Sequence, residues 1–197
     1  MKPLEGKITV VAGASRGAGR GIALALGDAG ATVYVAARTS RKGPKPADKA
    51  PGTVEDTAQE VTARGGRGIA IRADLSDEKQ VADLFRRVKK DHGRLDVLAN
   101  SAWGPLCMQV WMKKFWSLNG DHWRETLGTV SACWLTSVYA VGLMLEQRHG
   151  LIIHVTDNLH PDPSAWRGNI LWDLGHECLN RLILGMSRDT KSAKIAI

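Results

Sequence analysis

The chain has 197 residues, 44% apolar and 24% charged, with 27 Lys+Arg against 20 Asp+Glu and a formal charge of +7. That length suits one domain, those proportions exclude wholesale disorder, no apolar run approaches the roughly 20 residues that span a bilayer, and the N-terminus carries no apolar signal segment. Cys107, Cys133 and Cys178 are far apart with no CxxC pair, which excludes a disulfide scaffold or a zinc cluster and fits a reducing cytoplasm.

Strands and helices are predicted to alternate. Residues 7–12 (KITVVA) form a short β-branched run and read as a buried strand. A helix follows over 17–29, a strand over 31–37, a helix over 53–64 and a strand over 68–72. Ser76 is the expected N-cap of a helix running to about residue 92, striped by Val81, Leu84 and Val88. Residues 95–99 form a fourth strand. A long helix over 121–147 carries Leu127, Val130, Trp134, Val138, Val141 and Leu145 on one face, which periodicity alone does not assign to core or interface. Residues 151–155 form a fifth strand. A helix over 169–189 is striped by Leu171, Leu174, Cys178, Leu182 and Met186, and residues 193–197 read as a sixth strand. Repeated strand–helix–strand units imply a three-layer α/β Rossmann fold with a doubly wound parallel sheet. One domain over 1–197 is expected, truncated at its C-terminal end because the chain stops as the sixth strand begins.

The excess positive charge is local. Arg38, Arg41, Lys42, Lys45 and Lys49 face one acid, Asp48, in a stretch with Gly43, Pro44 and Pro46, so a basic loop is expected. Arg86, Arg87, Lys89 and Lys90 lie on a helix and read as a solvated face. Aromatic and basic residues are not interleaved, so no nucleic-acid partner is expected.

Directly after the first strand comes Gly13-Ala14-Ser15-Arg16-Gly17-Ala18-Gly19. Glycines in a strand-to-helix turn let the backbone approach a pyrophosphate at a helix N-terminus. The spacing is GxxxGxG. With Asp74-Leu75 after the third strand, Asn100-Ser101-Ala102-Trp103 after the fourth, and the run from Gly150 to Asp157 around the fifth, it resembles the short-chain dehydrogenase/reductase family over essentially the whole chain.

The resemblance implies a nicotinamide cofactor held by Gly13, Ser15, Arg16, Gly17, Gly19, Arg38, Asp74, Leu75, Asn100 and Ala102, and a small-molecule carbonyl or alcohol substrate. The second strand ends in Arg38 and lacks the acidic residue that bonds an NAD ribose. Arg38 and Arg16 instead suit a 2′-phosphate, so NADP is expected over NAD. The resemblance also implies a homo-oligomer, dimer or tetramer, with Trp134, Tyr139 and Leu143 as candidate contacts.

The family's proton chemistry uses Ser, Tyr, Lys and Asn. Here Asp157 stands at the Ser position, Trp172 at the Tyr position, His176 at the Lys position, and Thr129 or Val130 at the Asn position. An indole does not exchange a proton near neutral pH. His176, oriented by the Asp157 carboxylate, is the candidate acid of a rearranged oxidoreductase. A second reading is an NADP(H)-binding pseudoenzyme that senses cofactor or mediates contacts. A third is a metal or hydrolytic site built from His154, Asp157, His160 and His176, whose spacing matches no ligand signature, so no metal is expected. Trp103, Trp111, Trp116 and Trp123 either wall the substrate cleft or cover the long helix.

Overall fold

The computed structural model describes residues 2–43, 50–104, 113–157 and 168–197. Its six strands are β1 (Ile8–Ala12), β2 (Thr32–Ala37), β3 (Arg67–Arg72), β4 (Val97–Asn100), β5 (Gly150–His154) and β6 (Ile195–Ala196). All pair in parallel, in the order β3-β2-β1-β4-β5-β6. Helices α1 (Gly17–Asp28) and α2 (Val54–Ala63) pack on one face. Helices α3 (Glu78–His92) and α4 (Gly120–Gln147) pack on the other, where α5 (Ile170–Thr190) lies against α4 and β6. This is the doubly wound Rossmann architecture, with the strand order reversing between β1 and β4.

Two cores form because strand side chains alternate. Val10, Tyr34, Leu98 and Ile152 meet α3 and α4, while Val11, Val33, Val35 and Ala99 meet α1 and α2. The α3 cap differs from expectation: Asp77, not Ser76, accepts the Gln80 N–H, because Ser76 instead bonds the Asp74 carboxylate. Arg86 and Arg87 pair with Asp83 and Asp91 and Lys89 with Glu146, all exposed, as a solvated face requires.

The apolar stripe of the long helix is not its buried side. Trp134, Val138 and Leu145 are 46%, 45% and 51% exposed, while Leu127, Val130 and Val141 are half-buried. The buried side holds Thr126, Thr129, Ala132, Cys133, Thr136, Ser137 and Ala140, with Leu143 and Met144. Leu143 is therefore core and unavailable as a contact for a second copy. Small residues let the helix sit close to the sheet, and its hydroxyls bond backbone carbonyls one turn back, as Thr136 does to Ala132 and Ser137 to Cys133. The helix is uncharged from Thr126 to Leu145. Against expectation, it holds a window of mean hydropathy 1.4 and is long and apolar enough to cross a membrane by length and composition. In α5 the buried line is Leu171, Gly175, His176 and Leu179, a step round from the expected stripe. Cys133 is buried, which pushes its thiol up to about 12, and Cys178 is half-buried.

A polar seam ties α4 to the strand ends. The Asn100 amide oxygen accepts from Thr136 Oγ1 at 2.8 Å, and its Nδ2 lies 3.4 Å from Ser137 Oγ and 3.5 Å from His154 Nδ1. Burial pushes the His154 imidazole down to about 4. At the other end of the sheet Asp96, 5% exposed, accepts the Ile8 N–H at 2.8 Å and pairs with Lys7, Arg94 and His149. Burial works to raise its pKa, but the Ile8 N–H and these partners outweigh it and hold the carboxyl below its ordinary value.

Two consequences are measurable. Asp96→Asn should cost about 1–3 kcal/mol at pH 7 in urea unfolding. Because the folded pKa is depressed, that stabilisation is present above about 4 and lost as acid carries the pH through the folded value, so wild type and variant should converge there. His154 binds its proton more readily unfolded, so Tm should fall as pH drops from about 6.5 towards 4, and His154→Asn should flatten that fall. A variant as acid-sensitive as wild type would remove His154 from the effect.

Candidate functional site

The carboxyl ends of β1 and β4 bound the crevice created by the strand reversal. Gly13 closes β1 with φ +81, and a Cβ there would lie 2.5 Å from Ala102 Cα. The turns after β1 and β4 therefore touch, and Gly13 is glycine because of that contact. Gly19 packs against the Gly13 carbonyl in the same way. Gly17 differs: at φ +57 it opens α1, is exposed, and has nothing within 4 Å of a would-be Cβ. Its open side, at the N–H end of α1, is where a pyrophosphate fits.

Arg16 and Arg38 flank that opening. The Arg16 guanidinium donates to Thr39 Oγ1 at 2.8 Å and to the Ala50 carbonyl at 3.3 Å, which fixes it beside the end of β2. Ser15 is buried beneath. Arg38 is exposed and pairs with Glu125 of α4 at 3.2 Å. Arg41 is committed elsewhere, to Asp56, Gln59 and Glu55 on α2, and Lys45 and Lys49 lie outside the described residues. The Asp74 carboxylate accepts from the Ser76 N–H and hydroxyl at 3.0 and 2.7 Å, and Leu75 is buried in the α3 core. The Asn100 side chain is turned inward into the polar seam, 1% exposed. The structure thus gathers Gly13, Gly17, Gly19 and Ala102 at the crevice, with Arg16 fixed beside the end of β2, whereas Arg38 reaches to α4, Asp74 turns to Ser76, and Ser15, Leu75 and Asn100 are buried.

Across the crevice, β5 and α5 bring the three catalytic candidates together. Trp172 Nε1 donates to Asp157 Oδ2 at 3.0 Å. His176, 2% exposed, has its Nδ1 at 2.9 Å from the Asp157 backbone nitrogen and 3.0 Å from Thr156 Oγ1. A backbone N–H only donates, so Nδ1 is the acceptor and the neutral ring carries its proton on Nε2. The expected carboxylate–imidazole pairing is replaced: the Asp157 backbone orients His176, and its carboxylate takes the Trp172 indole. Thr156 Oγ1 also lies 3.2 Å from Asn180 Oδ1. Thr129 donates to the Glu125 carbonyl at 3.2 Å and is buried.

Over these groups lies Trp103. Its ring centroid is 4.2 Å from that of His176 and 5.0 Å from that of Trp172, stacked at 30° and 28°. Gly175 lies beneath the indole, two of whose carbons are 3.7 Å from where a Cβ would sit, an ordinary contact distance. Trp116 and Trp123 are instead exposed, and Trp111 and Cys107 lie outside the described residues. No group of three potential metal ligands occurs among the described residues, and His160 lies outside them.

Sequence reasoning missed Glu125, Thr156 and Asn180. Glu125 meets Arg38 only because α4 crosses the sheet, and no periodicity reports that. Thr156 was readable as the residue before Asp157 at the strand end. Trp103 stands at the fourth position of the Asn-Ser-Ala-Trp run and among the four tryptophans expected to wall the cleft or cover the long helix; its stacking on His176 and Trp172 is what no spacing reports.

The family model described as short chain dehydrogenase matches residues 7–166. The mouse dehydrogenase/reductase SDR family member 1 is 35% identical over 186 residues, 92% of this chain and 55% of its own length. The zebrafish hydroxysteroid dehydrogenase-like protein 2 is 28% identical over 96% of this chain and 44% of its own length, so the chain spans about half of each. A metagenomic short-chain oxidoreductase crystallised with NADP superposes with a TM-score of 0.80 at 25% identity, over 98% of this chain and 80% of that one. A short-chain type dehydrogenase/reductase from Mycobacterium marinum matches in fold with a TM-score of 0.80 at 24% identity, over 98% and 72%. The glycine turn, the reversed strand order and these matches agree: the chain belongs to the short-chain dehydrogenase/reductase family.

Proposed function

We propose that the chain binds NADP(H) in the β1/β4 crevice and serves the oxidoreduction of a small-molecule carbonyl/alcohol pair. The observation that carries this reading is the end of β2. It presents the exposed Arg38, which pairs with Glu125 at 3.2 Å, and Arg16, the residue before Gly17, is fixed to Thr39 one residue further on. Guanidinium groups match a 2′-phosphate through paired hydrogen bonds. The NADP complex of the metagenomic relative supports the same choice. Gly17, Arg16 and Arg38 would hold the adenosine diphosphate end, and the bound cofactor supplies the hydride.

This chain's residues handle the proton differently from the family's usual set. The Trp172 indole donates to Asp157 and holds that carboxylate turned away as an acceptor. That lessens the repulsion a free carboxylate would exert on a developing alkoxide. His176 offers only Nε2–H while Nδ1 accepts from the Asp157 backbone. A second proton on Nδ1 would face that N–H, so the ring serves as a hydrogen-bond donor before it serves as an acid. The same arrangement favours a second reading, in which the chain binds NADP(H) without turnover and acts as a sensor or interaction module. A second copy of the chain is the proposed partner for the exposed Trp134–Val138 edge of α4.

NADPH should bind more tightly than NADH by about 10–100-fold, the worth of one or two charged hydrogen bonds. Arg38→Ala should remove most of that preference in a fluorescence titration, and tighter NADH binding would refute the assignment. With NADPH bound, addition of aldehydes and ketones should oxidise it, and His176→Ala should lower that rate; binding without oxidation would select the second reading. At pH 7, ¹⁵N NMR of the imidazole should show the proton on Nε2, and an Nδ1–H signal would contradict the bond from the Asp157 backbone.

A further inference from the structure

The crevice is unequal at its two ends. A doubly wound sheet binds a dinucleotide across the strand reversal, one nucleoside on each side. The β1–β2 side is open at Gly17. The β4–β5 side is filled by a side chain of the protein itself. Trp103 leaves β4 just after Ala102, which touches Gly13, and its indole lies on His176 and Trp172 of α5. Those two residues stand at the Lys and Tyr positions of the resemblance, on the β4–β5 side of the strand reversal. A second aromatic ring cannot share the face of α5 that the indole covers.

We propose that Trp103 is a built-in occupant of the second half of the crevice, so that the resting chain recognises a 2′-phosphorylated adenine mononucleotide about as well as the whole dinucleotide. This rests on the NADP(H) reading above and adds a selectivity that the reading does not contain. The indole is well held: two stacked rings on one face, a glycine beneath it at Gly175, and Thr126 behind that glycine. Seating the second nucleoside requires the indole to leave, and the stacking lost must be recovered from the new contacts. Apparent affinity falls by the fraction of molecules in which the place is clear, so a chain clear one time in ten binds the dinucleotide about tenfold more weakly than its contacts allow. A ligand that stops at the pyrophosphate does not meet this loss. Trp103 is thus a specificity-determining residue.

The test is calorimetric titration of the full chain with adenosine 2′,5′-bisphosphate and with NADPH, for wild type and Trp103→Ala. The expected result is a wild-type preference for NADPH of about threefold or less. In Trp103→Ala, NADPH should tighten by about tenfold while the bisphosphate stays unchanged. A wild-type preference of about tenfold or more overturns the proposal, as does a variant in which NADPH binding is unchanged or weaker. Should Trp103→Ala fail to fold, the wild-type ratio decides alone. If bisphosphate binds and only the ratio fails, the NADP(H) reading survives and this inference falls; if neither ligand binds, both fall together.

Discussion

The contact between the β1 and β4 turns sets the rest of the molecule. Gly13 and Ala102 approach so closely that no side chain fits between them. That approach locks the two strands at which the sheet order reverses, and everything functional is placed relative to it. The opening at Gly17 lies four residues after Gly13, and Trp103 lies one residue after Ala102. A shift in this one contact would move both halves of the crevice at once, which is why glycine and alanine stand where the two turns meet.

The second constraint is the seam of Asn100, Thr136, Ser137 and His154. Buried polar groups are costly unless bonded to each other, and here each has a partner. The seam fixes the rotation of α4 about its own axis, because turning it by one residue would leave the Asn100 amide oxygen without its donor. Specificity of this kind accounts for hydroxyls where apolar side chains would otherwise fit.

Much of the fold was legible because strands and helices have different periods and turns have a glycine chemistry. The strands fall within a residue or two of where the β-branched runs end, and the glycine turn was read from its spacing and setting. The rotation of the long helix was not legible because periodicity ranks Thr and Ser below Trp and Val, while close packing on a sheet rewards small size. Its true inner face is the less hydrophobic one. The crevice was legible on its glycine side. On its tryptophan side the pairing of Trp172 with His176 was legible, four residues apart on one helix, but the stacking of Trp103 on them was not, because it comes from the turn after β4, far away in the chain. The arginines were readable at the end of β2, but Glu125, the partner of Arg38, comes from a helix far along the chain.

The sheet is buttressed unevenly. On the face covered by α1 and α2, Leu151 and Ile153 of β5 remain 39% and 42% exposed, whereas Val11, Val33 and Val35 are fully covered. Strands with apolar contacts on one face only open more readily than those held on both. The β5 side should therefore exchange its amide hydrogens sooner than the β1–β2 side. Thr156 and Asp157 hang from β5, so the partners of His176 and Trp172 rest on the softer part of the sheet and the glycine turn rests on the stiffer one.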